Sequence, residues 1–426
     1  MVISEVVETI IGRSEEEKKK IGIKGAGYIG RHLVIGEYDW QLTTKVYFDF
    51  TKSHVVLICG KRGSGKSYSS GVIIEEFCQI EDEIRKKSAI VILDPMGIYW
   101  SIKFPNEQQK NLLKQWNLEP KGFKDYIEVF VPKGLLQDYI AAGIPVDKPL
   151  TLTTSDFTIE DWVKTFEWDR TSNLAISLEK VLAELKKEVE KYDLKDIIRK
   201  LQEDKEIDEN IKKTLISIFK TVDSWGIFEK EGNKIEDIVI PGKVSVIDLS
   251  RVKSNAIMNM IAAWITSNTY FKRVLSRKEE ELAKIEGREQ KYFFPITWLV
   301  FEEAQNFAPS DKKTIALEPI LTIAKQGREP GVNLICITQM PNKLHQDLLS
   351  QTDIVISFRL TSREDLKALH SVMQTYMEED FQYYFNKLPR IHGAALILDD
   401  NLERIFTAVI RPRLSWHAGG TAQIQV

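Results

Sequence analysis

A short run of glycines with a lysine and a serine has the spacing of a phosphate-binding loop, G-x-x-x-x-G-K-[ST]. The run consists of Gly60, Lys61, Arg62, Gly63, Ser64, Gly65, Lys66 and Ser67. Glycine lets the backbone curl so that successive N–H groups point at phosphate oxygens, and a helix that begins there adds the partial positive charge of its N-terminus. We therefore expect Lys66 between the β- and γ-phosphates of ATP and Ser67 on Mg²⁺, and we include the adjacent Tyr68 among the nucleotide-binding residues.

Hydrolysis also needs a carboxylate on the metal side and a base that orients the attacking water. Glu302 and Glu303 can supply this pair, because they directly follow an apolar run, 298–301, that is typical of a buried strand. We assign the metal-side role to Glu302 and the water-orienting role to Glu303. Asp94 and Asp248 also end apolar runs, but Asp248 has no second acid beside it. Asp94 is interpreted either as a support for the site or as the cap of the following turn.

Two further polar side chains are candidates for a part in catalysis. Gln339 ends another apolar run, where an amide can respond to the γ-phosphate; a plain strand cap is the alternative. Arg328 follows a glycine and a predicted helix. An arginine on such a turn can reach the phosphate of a neighbouring subunit, where it contributes about 10³–10⁵ in rate. An ordinary surface arginine is the alternative interpretation.

Strands that alternate with helices must position these residues. Strand-like apolar runs lie at 55–59, 88–97, 127–132, 243–250, 296–301, 332–341, 353–360 and 394–400. Helical patterns lie between them at 68–80, 255–274, 314–325, 363–370 and 378–386. This alternation predicts an α/β fold with a mostly parallel sheet covered by helices on both faces.

The change in residue pattern along the chain predicts four regions. Residues 1–49 form an N-terminal arm and a short β-rich segment, and residues 50–110 and 241–412 form the nucleotide-binding core. Residues 111–240 are rich in Leu, Lys and Glu at helical spacing over much of their length, which predicts a mainly helical insertion. Residues 413–426 are assigned to a C-terminal tail.

The composition limits the classes of partner. The chain has 59 Lys and Arg against 62 Asp and Glu, a formal net charge of −3. This balance argues against a uniformly basic surface but allows a local basic channel for nucleic acid. No apolar run has the length of a membrane span, and no signal peptide is visible. We therefore expect a cytoplasmic protein with no membrane partner.

Taken together, these motifs resemble the HerA/FtsK superfamily of P-loop ATPases, and within it the HerA-like DNA translocases. The matching runs are HVVLICGKRGSGKS, VILDPMGIY, PGKVSVIDLS, LVFEEAQNFAP, AKQGREPGVNLICITQMPNKLHQDLLSQTDIVISFRL and IRPRLSWHAGG. The resemblance implies a RecA-like core with a helical insertion, ATP sites shared between the subunits of a hexameric ring, and double-stranded DNA in the pore. Two positions depart from the family pattern: Glu302 replaces the usual aspartate, and Gln305 stands where a histidine is familiar.

The resemblance also implies an N-terminal β-barrel. The residues before Gly60 are too few for it, so we expect the barrel to be truncated or replaced. A ring pore needs basic or polar loops, because phosphate contacts dominate non-specific binding. Lys312 and Lys313 in the run 310–314 are one candidate loop, and 342–346 is another. Each is equally well interpreted as a solvated loop.

The function predicted on this basis is that of an ATP-hydrolysing hexameric motor, active in DNA processing, repair or defence, that moves on or pumps double-stranded DNA without sequence preference. The alternative is a nucleotide-gated ring scaffold that organises a partner, such as a NurA-type nuclease or a defence effector, with little translocation. Strong stimulation of ATP hydrolysis by DNA would distinguish the motor from the scaffold.

Overall fold

A computed structural model describes residues 8–36, 39–360, 362–370 and 378–420 of the 426-residue chain. Within these residues, thirteen strands form one sheet and two short strands form a second. The strands are β1 (Thr9–Ile11), β2 (Ala26–Ile35), β3 (Trp40–Asp49), β4 (Val55–Cys59), β5 (Ser88–Asp94), β6 (Ile127–Pro132), β7 (Lys148–Leu150), β8 (Leu152–Thr153), β9 (Phe228–Glu229), β10 (Val244–Asp248), β11 (Ile296–Phe301), β12 (Val332–Thr338), β13 (Ile354–Ser357), β14 (Ala394–Asp399) and β15 (Arg404–Ile410).

The order of strands brings the predicted motifs to one edge of the large sheet. The order is β1-β3-β2-β15-β14-β13-β4-β12-β11-β5-β10-β6-β7. From β13 to β7 the neighbouring strands run parallel, whereas β14, β15 and β2 pair antiparallel. The carboxyl ends of parallel strands share one edge, so the residues that follow β4, β12 and β11 lie side by side. The predicted mostly parallel sheet is confirmed.

Helices cover the sheet and build a separate helical unit. The α-helices of the described residues are α1 (Glu15–Ile21), α2 (Lys66–Phe77), α3 (Asp82–Arg85), α4 (Lys110–Gln115), α5 (Leu136–Ala141), α6 (Ile159–Phe166), α7 (Asn173–Glu188), α8 (Leu194–Glu203), α9 (Glu209–Asp223), α10 (Ile235–Ile238), α11 (Asn255–Glu286), α12 (Leu317–Gln326), α13 (Gln346–Ser350), α14 (Arg363–His370) and α15 (Glu378–Lys387). None of these helices is long and apolar enough to cross a membrane.

Two apolar cores lie on opposite faces of the sheet. Along β4, Leu57 and Cys59 belong to one core, whereas Val56 and Ile58 belong to the other. Helices α11 and α12 and the helical unit α6–α9 pack on the first face, and α2 packs on the second. Because both faces are covered, the central strands can be apolar at every position, which explains the unbroken apolar runs in the sequence.

Strands from two regions outside the predicted core, 1–49 and 111–240, also belong to the large sheet and lie towards its two ends. At one end, β2 of the N-terminal segment pairs with β15, so this segment extends the core sheet. At the other, β6 and β7 lie within the range 111–240 but pair with β10 and with each other. All residues of β6 except Glu128 are buried. The helical unit α6–α9 begins further along the chain, where Thr158 forms a capping box at the start of α6.

Candidate nucleotide-hydrolysis site

The phosphate-binding loop joins β4 to α2, and glycine determines its shape. Gly63 and Gly65 have φ angles of 74° and 106°, in the region that residues with a side chain rarely adopt. Gly60 is required for space, since a Cβ there would lie 2.5 Å from Ser64 Oγ and 2.6 Å from Phe358 Cβ. The loop is therefore closed tightly enough to present backbone N–H groups, and α2 begins directly behind it.

Lys66 is folded back over this loop. Its ammonium Nζ donates to the carbonyl of Lys61 at 3.1 Å. Burial lowers the pKa of Lys66 below its ordinary value, and the nearby carboxylates of Glu303 and Glu302 oppose that shift. An ammonium group has three donors, so donors remain for phosphate oxygens. Lys61 and Arg62 are exposed on the loop.

Ser67 and Glu302 meet at the edge of the sheet. Ser67 Oγ donates to Glu302 Oε1 at 2.7 Å, and the hydroxyl of Tyr99 donates to Glu302 Oε2 at 2.6 Å. Glu302 is only 1% exposed. Burial raises the pKa of its carboxyl above the ordinary value, whereas these two hydrogen bonds act in the opposite direction. The longer side chain of glutamate thus reaches the loop serine directly.

The chemistry of this pair fits Mg²⁺. A hydroxyl and a carboxylate are hard oxygen ligands, which Mg²⁺ combines with water and nucleotide phosphates. Ser67 and Glu302 would hold the ion, which would neutralise charge on the phosphates when bound. Metal binding requires the ionised form of a carboxyl group, so it would oppose the effect of burial on Glu302.

Glu303 has an unusual backbone conformation and is fixed from two sides. Its φ and ψ are 50° and 53°, in the left-handed region. Such strain in a non-glycine residue is concentrated at functional sites. Gln339 Nε2 donates to Glu303 Oε1, and Gln305 Nε2 donates to Oε2 at 2.7 Å. Thr338 Oγ1 in turn donates to Gln305 Oε1 at 2.7 Å. The side chain of Gln339 therefore contacts the carboxylate to which the water-orienting role is assigned.

Asp94 and Asp248, the two other carboxylates that end apolar runs, each accept hydrogen bonds from the turn that follows their strand. Asp94 accepts hydrogen bonds of 2.7–3.1 Å from the backbone N–H groups of residues 96–99. Burial and the nearby Asp248 raise its pKa to about 7. Asp248 accepts from the hydroxyl of Tyr139 at 2.8 Å and from the backbone of Ser250 at 3.0 Å. The interpretation of Asp94 as the cap of its turn agrees with these contacts.

Arg328 lies far from the phosphate loop of its own chain. It is exposed on the turn between α12 and β12, and the carbonyl of Gly331 in this turn accepts from Thr297 near the start of β11. This is the amino end of the strands. A seven-residue strand, β12, separates it from the edge that carries Glu303, a distance of about 20 Å. The turn that carries Arg328 therefore lies away from the phosphate loop of its own chain.

The two candidate DNA loops are neighbours. Lys312 and Lys313 are exposed, and Ser310 at the start of their loop donates its backbone N–H to the carbonyl of Lys343 at 2.9 Å. Lys343 is also exposed and belongs to the second candidate run, 342–346. The structure thus joins the two loops into one surface beside the edge that carries the acid pair.

Two contributions were missed in the sequence. The first is the hydroxyl of Tyr99, although the run VILDPMGIY that contains it carried part of the family resemblance. The second is the contact of the C-terminal tail with Tyr68. The Tyr68 hydroxyl accepts from the backbone N–H of Arg413 at 2.8 Å and donates to Gln109 Oε1 at 2.7 Å. The His417 ring packs edge-on at 5.3 Å, and its pKa is lowered to about 3 by burial and by Arg413.

Comparison with solved structures supports the fold. VirB4 of Thermoanaerobacter pseudethanolicus matches with a TM-score of 0.54 and 15% identity over 92% of this chain and 98% of that one. The bacterial conjugative coupling protein TrwB, as its ΔN70 form, matches with a TM-score of 0.51 and 11% identity over 96% and 93%. At these identities the likeness shows a shared α/β fold and no more than that.

Comparison of sequences identifies the family. The DNA double-strand break repair helicase HerA of Pyrococcus furiosus is 25% identical over 74% of this chain and 59% of its own length. A probable helicase of the same name from Methanocaldococcus jannaschii is 23% identical over 82% and 70%. The chain thus spans less than two thirds of the length of the first relative. The family model described as the central domain of helicase HerA matches residues 28–269. The chain therefore belongs to the HerA helicase family.

Proposed function

We propose that this chain is an ATP-hydrolysing motor of the HerA type that translocates double-stranded DNA as a homo-hexamer. The observation that carries the proposal is the hydrogen bond of 2.7 Å between Ser67 and Glu302, with Glu303 fixed beside it. A phosphate loop, a metal-side carboxylate and a second carboxylate for the water stand at one sheet edge. The HerA names of the curated relatives support the choice of DNA as the substrate of the motor.

Each side chain of the site has a role in hydrolysis. Backbone N–H groups of the loop and Lys66 bind the phosphates, and Ser67 and Glu302 bind Mg²⁺. Glu303 orients the attacking water and accepts its proton. Gln339 and Gln305 hold the carboxylate of Glu303 in place through its two oxygens. When the γ-phosphate leaves, the contact between Gln339 and Glu303 would change. This change would move the end of β12 and the loop that follows it, so that their position would depend on the bound nucleotide.

The test of this proposal is the rate of ATP hydrolysis with and without duplex DNA. A translocase couples the two processes, so duplex DNA is expected to raise the turnover strongly at low salt, and the rise is expected to weaken as salt screens the phosphate contacts. A ring scaffold for a nuclease or defence effector would hydrolyse ATP at the same rate in both conditions. Equal rates with and without DNA would contradict the motor and favour the scaffold.

Arg328 is proposed to act on the nucleotide of the adjacent subunit. Arg328→Ala is expected to lower turnover by about 10³–10⁵, because the exposed turn is too distant to serve its own site. Mixing Arg328→Ala subunits with Glu303→Gln subunits is then expected to recover part of the ATP turnover, since some mixed interfaces carry both intact groups. Arg199→Ala, an exposed arginine of the helical unit, is the control. Wild-type turnover of Arg328→Ala, or full activity of a monomer, would contradict shared sites.

The joined lysine loops are proposed to contact DNA phosphates. Lys312→Ala with Lys313→Ala is expected to weaken duplex binding equally across unrelated sequences and to reduce the slope of log affinity against log salt by up to about two. ATP binding is expected to persist. The control is Lys186→Ala with Lys187→Ala, an adjacent exposed pair on α7. If DNA binding were weakened only by the Lys186→Ala and Lys187→Ala double substitution, the DNA surface would lie on the helical insertion. A sequence preference above about 10³ would contradict non-specific binding.

A further inference from the structure

The hydroxyl of Tyr99 is placed on the carboxylate that faces the loop serine. It donates to Glu302 Oε2 at 2.6 Å and lies 2.6 Å from Ser70 Oγ. The Tyr99 side chain is fully buried. Because Ser67 occupies Oε1 of the same carboxylate, each oxygen of Glu302 has one hydroxyl donor.

The direction of these hydrogen bonds follows from the number of protons. An ionised carboxylate only accepts, and a tyrosine hydroxyl has one hydrogen to give. When Tyr99 gives it to Glu302, the 2.6 Å contact with Ser70 is a hydrogen bond if Ser70 donates its one hydrogen to Tyr99 rather than to the carbonyl of Ser67, which lies 3.1 Å away. Ser70 lies on α2, three residues after Ser67. Two serines of the helix behind the phosphate loop therefore reach Glu302, one directly and one through Tyr99.

Tyr99 is itself held by the turn that follows β5. Asp94 Oδ2 accepts from the backbone N–H groups of Ile98 and Tyr99 at 2.7 and 2.9 Å. Gly97 in this turn has a φ of 65°, and a Cβ there would lie 2.5 Å from Ser250 Oγ. The turn therefore has little freedom, and the position of the Tyr99 hydroxyl is set before any ligand arrives.

We propose that Tyr99 is a positioning residue that fixes the rotation of the Glu302 carboxylate, so that Glu302 and Ser67 together bind the Mg²⁺ that accompanies the nucleotide. This inference rests on the proposed nucleotide site. Without the Tyr99 hydroxyl, Oε2 loses its donor in a buried environment and the carboxylate turns to find another. The phosphate contacts of the loop and of Lys66 do not depend on Tyr99.

The test is the affinity for a fluorescent, non-hydrolysable ATP analogue, measured by anisotropy in Mg²⁺ and in EDTA. A hydrogen bond to a charged group contributes about 1.5–3 kcal/mol, so Tyr99→Phe is expected to weaken binding about 10- to 100-fold in Mg²⁺. Binding in EDTA is expected to be unchanged. Ser70→Ala, which removes the other partner of Tyr99, is expected to show a smaller change in the same direction, and it provides the same readout if Tyr99→Phe does not fold.

The chain offers a matched control in Tyr139. Its buried hydroxyl donates to Asp248 at the end of β10, so Tyr139→Phe also removes a tyrosine–carboxylate hydrogen bond. It is expected to leave the Mg²⁺ dependence of binding unchanged. Two results for Tyr99→Phe would overturn the inference: an unchanged affinity in Mg²⁺, or an equal loss of affinity in Mg²⁺ and in EDTA. In either case the proposed metal site would stand if Ser67→Ala still removed the Mg²⁺ dependence of binding. A wild type that bound the analogue equally with and without Mg²⁺ would overturn the metal site itself.

Discussion

Glu303→Gln is expected to lower ATP turnover by about 10²–10⁴-fold and to leave ATP binding intact. The glutamine keeps the shape of the side chain, and its single carbonyl oxygen can still accept a hydrogen bond from either Gln305 or Gln339. The other amide must turn over so that its oxygen accepts from the new NH2 group. The new glutamine cannot accept the proton of the attacking water, so the loss falls on the chemical step and not on binding. Steady-state turnover and the affinity for ATP, measured on the same preparation, separate the two effects.

Glu318→Gln provides the control for this change. Glu318 is exposed on the first turn of α12, so the same chemical substitution there is expected to leave turnover unchanged. If Glu303→Gln hydrolysed ATP at the wild-type rate, the water-orienting role would belong to another group. Equal loss of ATP binding and turnover would instead assign Glu303 to the binding of the nucleotide.

Arg411→Ala is expected to lower the free energy of unfolding by about 3–5 kcal/mol, because it removes the nearer of the two buried arginines that pair with the Glu75 carboxylate and leaves only Arg413, at 3.4 Å. Arg411 bonds to Glu75 at 2.9 Å, and both side chains are fully buried. Glu75 lies on α2 and also accepts from the backbone N–H groups of Leu414 and Ser415 at 3.0 and 2.8 Å. The change therefore also loosens the tail from the helix that carries the phosphate loop. Urea-induced unfolding measures the effect.

An exposed ion pair serves as the comparison for Arg411. Arg251 lies 3.3 Å from Asp138, and both side chains are more than half exposed. Water and salt already screen such a pair, so Arg251→Ala is expected to change stability little. A loss of stability for Arg411→Ala as small as that for Arg251→Ala would show that the buried pair does not hold the tail.

Local patterns in the sequence were sufficient to predict the position of the phosphate-binding loop and most strands of the parallel sheet. The loop is continuous in the chain, and its glycines and Lys66 act through backbone shape and charge that neighbouring residues determine. The acid pair could be identified because Glu302 and Glu303 follow a strand that is apolar on both faces. These signals need no knowledge of which strands are neighbours.

Contacts between distant segments could not be predicted in this way. Tyr99 and Glu302 are 203 positions apart, and their contact depends on β5 lying next to β11. The same holds for the tail: Gly71 is glycine because a Cβ there would lie 2.7 Å from Arg413 Cζ, which only the folded chain reveals. β6 was recognised as a strand, but its pairing with β10 is a property of the sheet order.

The most direct test of the proposed motor is displacement of a third strand from a DNA triplex placed on either end of a long duplex. The wild type is expected to displace the third strand in the presence of ATP and Mg²⁺, and Glu303→Gln is expected to bind the duplex without displacing it. ATP hydrolysis that is stimulated by duplex DNA but releases no third strand from either end would contradict translocation.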